Sequence, residues 1–308
     1  MKRVTIFYHR VDYDGLFSAY IANSWYSEQG YNVTLLGFNY GDAIPDVNML
    51  KIFADEVVIL DVTFPPETMK QLVSELGPDR IIWIDHHATS IKDSELHGYS
   101  GLTGKRLISY KGACELTWEW YYPETHTPKL IQYLSAHDTW DKGRFLWNDV
   151  LSVQSGLRTD HGMSIENLLK SGNTLLSPSY LEEHVLPLGR GITKFQTGKW
   201  KTQVRNAAFE IMVAGKLRGL ALLSPDFSSA AFESVLDKGY QVFCICNIKN
   251  DCPGYFSVSL YSEPDGRLGS FELGLYMKDN YLGGGHKCAA GGKLNAEQFK
   301  RLVFERQI

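Results

Sequence analysis

Ile81-Ile82-Trp83-Ile84-Asp85-His86-His87 decides the reading: an apolar run of strand length ends abruptly in one acid and two imidazoles. The same construction occurs twice upstream. Val4 to Tyr8 runs into His9-Arg10-Val11-Asp12-Tyr13-Asp14-Gly15, and Val57 to Leu60 runs into Asp61. Helical stretches separate these runs: Leu16 to Gln29, closed by Gly30, and a helix opened after Pro65-Pro66 that ends through Val73 to Leu76 at Gly77-Pro78. Asn32 to Gly37 reads as a further strand. Short apolar runs alternating with helices predict β-α units on a parallel sheet. In an open sheet of that kind ligands gather beyond the carboxyl ends of the strands, so the three polar clusters are expected to converge.

Converging carboxylates repel one another and stay ionised only when cations sit among them. A set of aspartates with a few histidines is too oxygen-rich for structural zinc, and it suits manganese, magnesium or iron at two adjacent positions. Taken singly, Asp14-Gly15 is a common turn, Asp61 a common helix cap, and His86-His87 an ordinary surface pair. Their joint placement at three strand ends carries the metal reading. A fourth contribution comes from Ala136-His137-Asp138-Thr139-Trp140-Asp141, where the residues alone leave Asp138 and Asp141 equivalent.

The 308 residues are enough for about two domains. With 44% hydrophobic and 21% charged residues the composition is that of a globular protein, not a disordered or fibrous one. Lys plus Arg at 31 against Asp plus Glu at 35 gives a net charge of -4, which excludes the basic surplus of a long-duplex binder. Five thinly spread cysteines point to a reducing cytoplasm, not a disulfide framework. The apolar start is broken by His9 and Arg10, too early for a signal peptide or a membrane span. Cys114 to Tyr122 and Pro128 to His137 read as helices, and Trp118, Trp120, Trp140 and Trp147 are expected in the core rather than as base-stacking surfaces.

Leu186 to Asn206 reads as a long helix without acids, in which Arg190, Lys194, Lys201 and Arg205 share one face. The face suits a solvated linker, or the lining of a phosphate-bearing cleft. Beyond it, strands at 217–223, 241–246 and 255–261, a helix at 229–238 and a terminal helix at 296–305 predict a smaller α/β domain. The expected division is residues 1–185, a linker helix at 186–206, and 207–308. Cys244 and Cys246 share a strand face; without a second cysteine pair they read as core. Gly283-Gly284-Gly285-His286-Lys287 lets the backbone approach a ligand closely and offers an anion site, although alone it reads as a glycine-rich hairpin.

These residues resemble the DHH phosphoesterase superfamily, in particular its nanoRNase or oligoribonuclease-like branch. The resemblance lies in His9-x-x-Asp12-x-Asp14-Gly15, Asp61, Asp85-His86-His87, Asp138-Thr139, and Gly283-Gly284-Gly285-His286 with Ala289-Ala290-Gly291. It implies a parallel-sheet metal domain joined by a linker helix to a smaller α/β DHH-associated substrate domain. It implies one metal held by His9, Asp12 and Asp61, and a second by Asp14, bridging Asp61, His86 and Asp138. Asp85 then orients a histidine, His87 contacts the scissile phosphate, and Gly283 to Lys287 bind substrate. Many relatives carry an arginine where this chain has Ser259-Leu260-Tyr261-Ser262, so a phosphate clamp is either absent or replaced by Tyr261, Arg267 or the basic helix.

The expected protein is a two-domain metallophosphodiesterase that cuts short oligonucleotides or linear dinucleotides to 5'-mononucleotides in a cleft between its domains. It would use two divalent ions, manganese first, with magnesium, cobalt or iron able to take the same ligands. Long duplex nucleic acid and membranes are not expected partners, and a homodimer is admissible. The alternatives are a 3',5'-bisphosphate nucleotide phosphatase and a nucleotide-binding sensor without turnover.

Overall fold

In the computed structural model, which describes residues 1–225, 229–248 and 252–303, the chain divides into two compact units, Met1–Thr193 and Lys194–Ile308. Four strands form the sheet of the first: β1 (Arg3–His9), β2 (Asn32–Phe38), β3 (Glu56–Leu60) and β4 (Ile81–Ile84), in the order β2-β1-β3-β4, every pair parallel. Between and after them run α1 (Tyr13–Glu28), α2 (Val47–Phe53), α3 (Pro66–Leu76), α4 (Ala88–His97), α5 (Ala113–Tyr121), α6 (Lys129–Asp138), α7 (Trp147–His161) and α8 (Ile165–Ser171).

The strands read as unbroken apolar runs because both faces of the sheet are covered. Val4, Ile6, Tyr8, Val58, Leu60 and Ile84 point into one core with α1 and α5 to α8. Their sequence neighbours Phe7, Val57, Ile59, Ile81 and Trp83 point into another with α2 and α3. Trp83 is fully buried, its indole N–H donating to the Val62 carbonyl at 3.2 Å. Of the four tryptophans expected in the core, Trp118 and Trp147 are partly buried and pack against it, Trp140 is partly buried, and Trp120 is exposed. Trp118 stacks on Tyr122, and Trp140 meets Trp147 edge-on with Lys142 Nζ 4.8 and 5.3 Å from the two ring centroids. On α5 the interior positions are held by Cys114, Leu116, Thr117 and Tyr121, and on α7 by Val150 and Val153 among others.

α9 (Leu186–Ala207) is one continuous helix, preceded by a π-helical turn at Tyr180–Val185. Its beginning is no free linker, since it crosses α7 with backbone in contact. A Cβ on Gly189 would lie 1.8 Å from Ser152 O, and one on Gly156 2.3 Å from Val185 O. Arg190 pairs with Asp149 at 2.9 Å and the Thr193 hydroxyl reaches Ser155 at 3.1 Å. These contacts tie the first turns of the helix to unit one, and the division between units falls inside it.

The second unit has a mixed sheet, β5-β6-β7-β8-β10-β9, in which only β6 and β7 pair in parallel. Its strands are β5 (Phe209–Val213), β6 (Leu217–Leu223), β7 (Val242–Ile248), β8 (Tyr255–Tyr261), β9 (Gly284–Gly285) and β10 (Ala289–Asn295). α10 (Leu273–Tyr281) and α11 (Ala296–Val303) supply its core with Met277, Phe299 and Leu302. The segment expected as a helix at 229–238 is a 3₁₀ stretch at Ser229–Val235, and residue 305, the expected end of the last helix, lies outside the described residues. Cys244 and Cys246 lie in the core, their sulfurs 3.4 Å apart. No helix among the described residues is long and apolar enough to cross a membrane.

The crossing gives a paired test. Gly189→Ala forces backbone apart and should lower unfolding free energy by about 1–3 kcal/mol. Gly191→Ala, on the same helix with nothing within 4 Å of the added Cβ, should raise it by about 0.5–1 kcal/mol. Urea unfolding of both variants measures the difference.

Candidate metal centre

The polar clusters converge at the carboxyl end of the first sheet. β1 ends in His9, and the chain turns at once into α1, with Asp12 capping that helix through Gly15 N–H at 2.9 Å. The turn requires glycine at position 15, where a Cβ would sit 2.0 Å from the His9 carbonyl oxygen. The other oxygen of Asp12 lies 2.6 Å from His9 Nδ1. Asn39, just past β2, accepts from His9 Nε2 at 3.2 Å and from Tyr40 N–H at 2.9 Å. With Nε2–H held by Asn39, His9 turns Nδ1 toward Asp12 and toward Asp61 Oδ2, 3.5 Å away.

Asp61 follows β3 in the left-handed region, φ 59°, while its N–H donates to the Ile84 carbonyl at 3.0 Å. Holding an aspartate there costs about 1–3 kcal/mol, a strain typical of functional sites. Its two oxygens have different company. Oδ2 faces His9, whereas Oδ1 lies 3.4 Å from His86 Nε2. The same His86 nitrogen is 3.4 Å from Asp14 Oδ2 and 3.0 Å from Asp138 Oδ2. His9, Asp12 and Asp61 therefore form one potential ligand group, Asp14, Asp61 and His86 a second, and Asp61 belongs to both.

Asp85 Oδ1 accepts from the backbone N–H groups of His86 and His87, at 2.8 and 3.0 Å, and from His87 Nδ1 at 2.7 Å. Asp85 thereby orients the His87 ring. Asp138, the last residue of α6, reaches the cluster; Asp141 instead accepts from Gly143 N–H within its turn.

The fit to a cation is tested by atoms the protein leaves unsatisfied. His9 Nδ1, Asp61 Oδ1 and Asp85 Oδ2 are buried without a hydrogen-bond partner of proper geometry. Burial, together with Asp61 and Asp138, holds the Asp14 carboxyl well above the usual carboxylate range. Burial opposes charge on His9, yet Asp12 and Asp61 override it and push its pKa up to about 11. Protons here do the work of positive charge. The residues fit divalent cations, which would replace those protons among hard oxygen donors and imidazoles.

Gly283 to Lys287 lie in the second unit. Gly284 and Gly285 pair with Gly291 and Ala290, and the amides of Gly283 and His286 donate to Met277 O and Ala289 O at 3.0 and 2.7 Å. Added Cβ atoms would lie 2.3 Å from Gly291 O at Gly283 and 2.3 Å from Ala289 O at Gly285, so the hairpin itself demands these two glycines. Arg267 is engaged by Asp265 and by the Leu236 and Tyr240 carbonyls, and Ser262 by Gln241 O.

Sequence reasoning missed Asn39 and the entire support of Asp14. Ala113 and Cys114, at the N-terminus of α5, donate to the two oxygens of Asp14 at 2.6 and 2.8 Å. The local signals were a turn-forming Asn39-Tyr40-Gly41-Asp42 and a glycine, Gly112, ahead of a helix.

Because cation binding must expel the protons held on Asp14 and His9, manganese affinity should rise with pH. The expected slope is about tenfold per pH unit for each proton released. Calorimetric titrations at pH 6, 7 and 8 measure it, and a flat profile would contradict the assignment.

No protein-family model and no curated protein matches the sequence. Solved structures do. A DHH-domain protein described as a member of the s1p family of ribosomal proteins aligns at 14% identity and TM-score 0.54, over 97% of this chain and 84% of that one. Exonuclease RecJ bound to manganese aligns at 14% identity and TM-score 0.52, over 98% and 88%. RecJ of Thermus thermophilus in complex with Mn2+ gives 15% identity and TM-score 0.52, over 98% of this chain and 51% of that one. The chain has the fold of the DHH-domain proteins.

Proposed function

We propose that this protein is a metal-dependent phosphodiesterase that cleaves short oligonucleotides or linear dinucleotides to 5'-mononucleotides. The two oxygens of Asp61 facing two separate sets of potential ligands carry the reading, because that is what a carboxylate bridging two cations requires. His9 and Asp12 would complete one set, Asp14, His86 and Asp138 the other. Manganese is the first choice of ion. Two such cations, when bound, make a nucleophile of water at neutral pH and neutralise charge growing on the phosphoryl oxygens. The manganese-bound RecJ neighbour supports this choice.

The chain's own groups supply orientation and a proton. Burial disfavours a charged His87, but Asp85 outweighs it and raises its pKa. With Nδ1 tied to Asp85, His87 keeps Nε2–H to donate to a phosphoryl oxygen or to the leaving oxygen. In the second unit we assign substrate contact to Gly283, Gly284, Gly285, His286 and Lys287. Since the amides of Gly283 and His286 already donate within the fold, charge there comes from His286 and Lys287. The net charge of -4 provides no extended electrostatic track for a long strand, which favours substrates of a few nucleotides.

Chelated protein reloaded with manganese should be given dinucleotides, a twenty-nucleotide RNA, cyclic dinucleotides and a 3',5'-bisphosphate nucleotide, and the products separated. Fastest release of 5'-mononucleotides from dinucleotides is expected. Preferential release of inorganic phosphate from the bisphosphate would establish the phosphatase alternative, and binding without turnover the sensor. Asp61→Ala should abolish turnover and lose both ions.

His86 and His87 should separate in the same assay. His86→Ala is expected to lower manganese stoichiometry, whereas His87→Ala should keep the metal and lower kcat by about 10²–10⁴-fold. Equal metal loss in the two variants would refute the division of roles.

A further inference from the structure

Asp14 is buried, and the amides that hold its carboxylate are placed in turn by residues that belong to no ligand group. Its oxygens accept from Ala113 and Cys114 N–H, and the approach is close enough that a Cβ on Gly112 would lie 2.7 Å from Oδ1. The position of that helix end is fixed in turn. Gly112 N–H donates to Ser135 Oγ at 2.9 Å, and Ser135 donates to Glu115 Oε2 at 2.6 Å. Arg144 grips Glu115 with both Nη atoms, at 2.7 and 2.9 Å. Glu115 is 2% exposed and Ser135 fully buried, and Arg144, itself partly exposed, reaches in from the edge to complete a polar network that is buried at Glu115 and Ser135.

Ser135 lies on α6 less than one turn before Asp138, and Arg144 lies on the segment that leaves it. The network therefore joins α5, whose first amides hold the Asp14 carboxylate, to α6, which ends in Asp138, and both carboxylates approach the same nitrogen, His86 Nε2. We infer that Glu115, Ser135 and Arg144 are positioning residues that set the spacing between Asp14 and Asp138 and thereby the affinity of one of the two cation positions. The inference rests on the two-cation reading above. A core needing stability alone would be served as well by apolar residues, since a buried ion pair is weak evidence for stability. Linking Gly112, Ser135, Glu115 and Arg144 by hydrogen bonds while presenting two amides to a buried carboxylate is what positioning requires.

The test is manganese titration of the full-length protein by calorimetry and electron paramagnetic resonance, with thermal melting of the metal-free variants alongside. Ser135→Ala breaks the link to Gly112 and leaves the Glu115–Arg144 pair in place. It should weaken one of two manganese sites by about 10–100-fold, leave the other unchanged, and shift the metal-free melting point little. Glu115→Gln, whose one amide oxygen can still accept from Ser135 Oγ and Arg144 Nη1 although the second Arg144 contact is lost, should keep the weakened site within a few-fold of wild type, while Glu115→Ala should weaken it as Ser135→Ala does. Should Glu115→Ala fail to fold, Ser135→Ala and Glu115→Gln decide the matter. Wild-type isotherms in folded Ser135→Ala, or both sites weakened equally, would overturn the positioning role. A wild-type protein that binds no manganese would overturn the two-cation reading and this inference with it.

Discussion

Mutual repulsion of carboxylates is the constraint around which the first unit is built. Two like charges about 4 Å apart cost about 4 kcal/mol even at an effective dielectric constant near 20, and here Asp12, Asp14, Asp61 and Asp138 meet in one place. Without opposing charge such a cluster would be forced apart or protonated. Three means hold it together: the imidazoles of His9 and His86, the amides at the start of α5, and backbone that brings the groups closer than ordinary side chains allow. Gly15 lets α1 start against the end of β1, Gly112 lets α5 reach Asp14, and Asp61 accepts a left-handed conformation. Each of these features is costly or restrictive alone, and each is explained by the cluster.

What was legible in the sequence follows from what acts locally. A parallel strand buried on both faces reads as a largely apolar run, so β1, β3 and β4 stand out, and the first polar residue after each run falls at the end where the polar clusters meet. That is why His9, Asp61 and Asp85 to His87 could be found with their approximate places. The support of the site could not, because it depends on contacts across large sequence distances: Asp14 meets Ala113, 99 residues away, and His9 meets Asn39, 30 away. Glu115 gave the nearest thing to a signal, an acid between the apolar Ala113-Cys114 and Leu116 on the buried face of the helix. The tryptophans misled in part for a related reason. Size predicts burial on average, but which face of a helix meets the core is decided by neighbours, and other residues already filled those positions.

Glycine serves differently in the two units, and the difference bears on how motifs are read. At positions 15 and 112 it brings groups of the polar cluster together. At 283 and 285 it closes a hairpin whose carbonyls come within 2.3 Å of any added Cβ. The second pattern would be required by the fold whether or not a ligand bound there. A glycine run in this context therefore identifies architecture first, and the chemistry must be sought in the side chains beside it, His286 and Lys287.

The arrangement of the site also makes it part of the tertiary structure. Asp61 and His86 come from strand ends, Asp14 from the first helix, and Asp138 from the end of α6, so any cation shared among them would link sheet, α1 and α6 at one point. A ligand that binds only the folded form adds stability by mass action, about 2.7 kcal/mol when present at a hundred times its dissociation constant. That is of the same order as the strain assigned to Asp61 and the repulsion within the cluster. The two buried cores flanking the sheet hold the metal-free ligands near each other at a cost, and cation binding would return stability at the very place where it was given up. Preorganisation and electrostatic strain are in this sense one property: the same crowding of oxygens that costs stability without a cation would favour a divalent cation there.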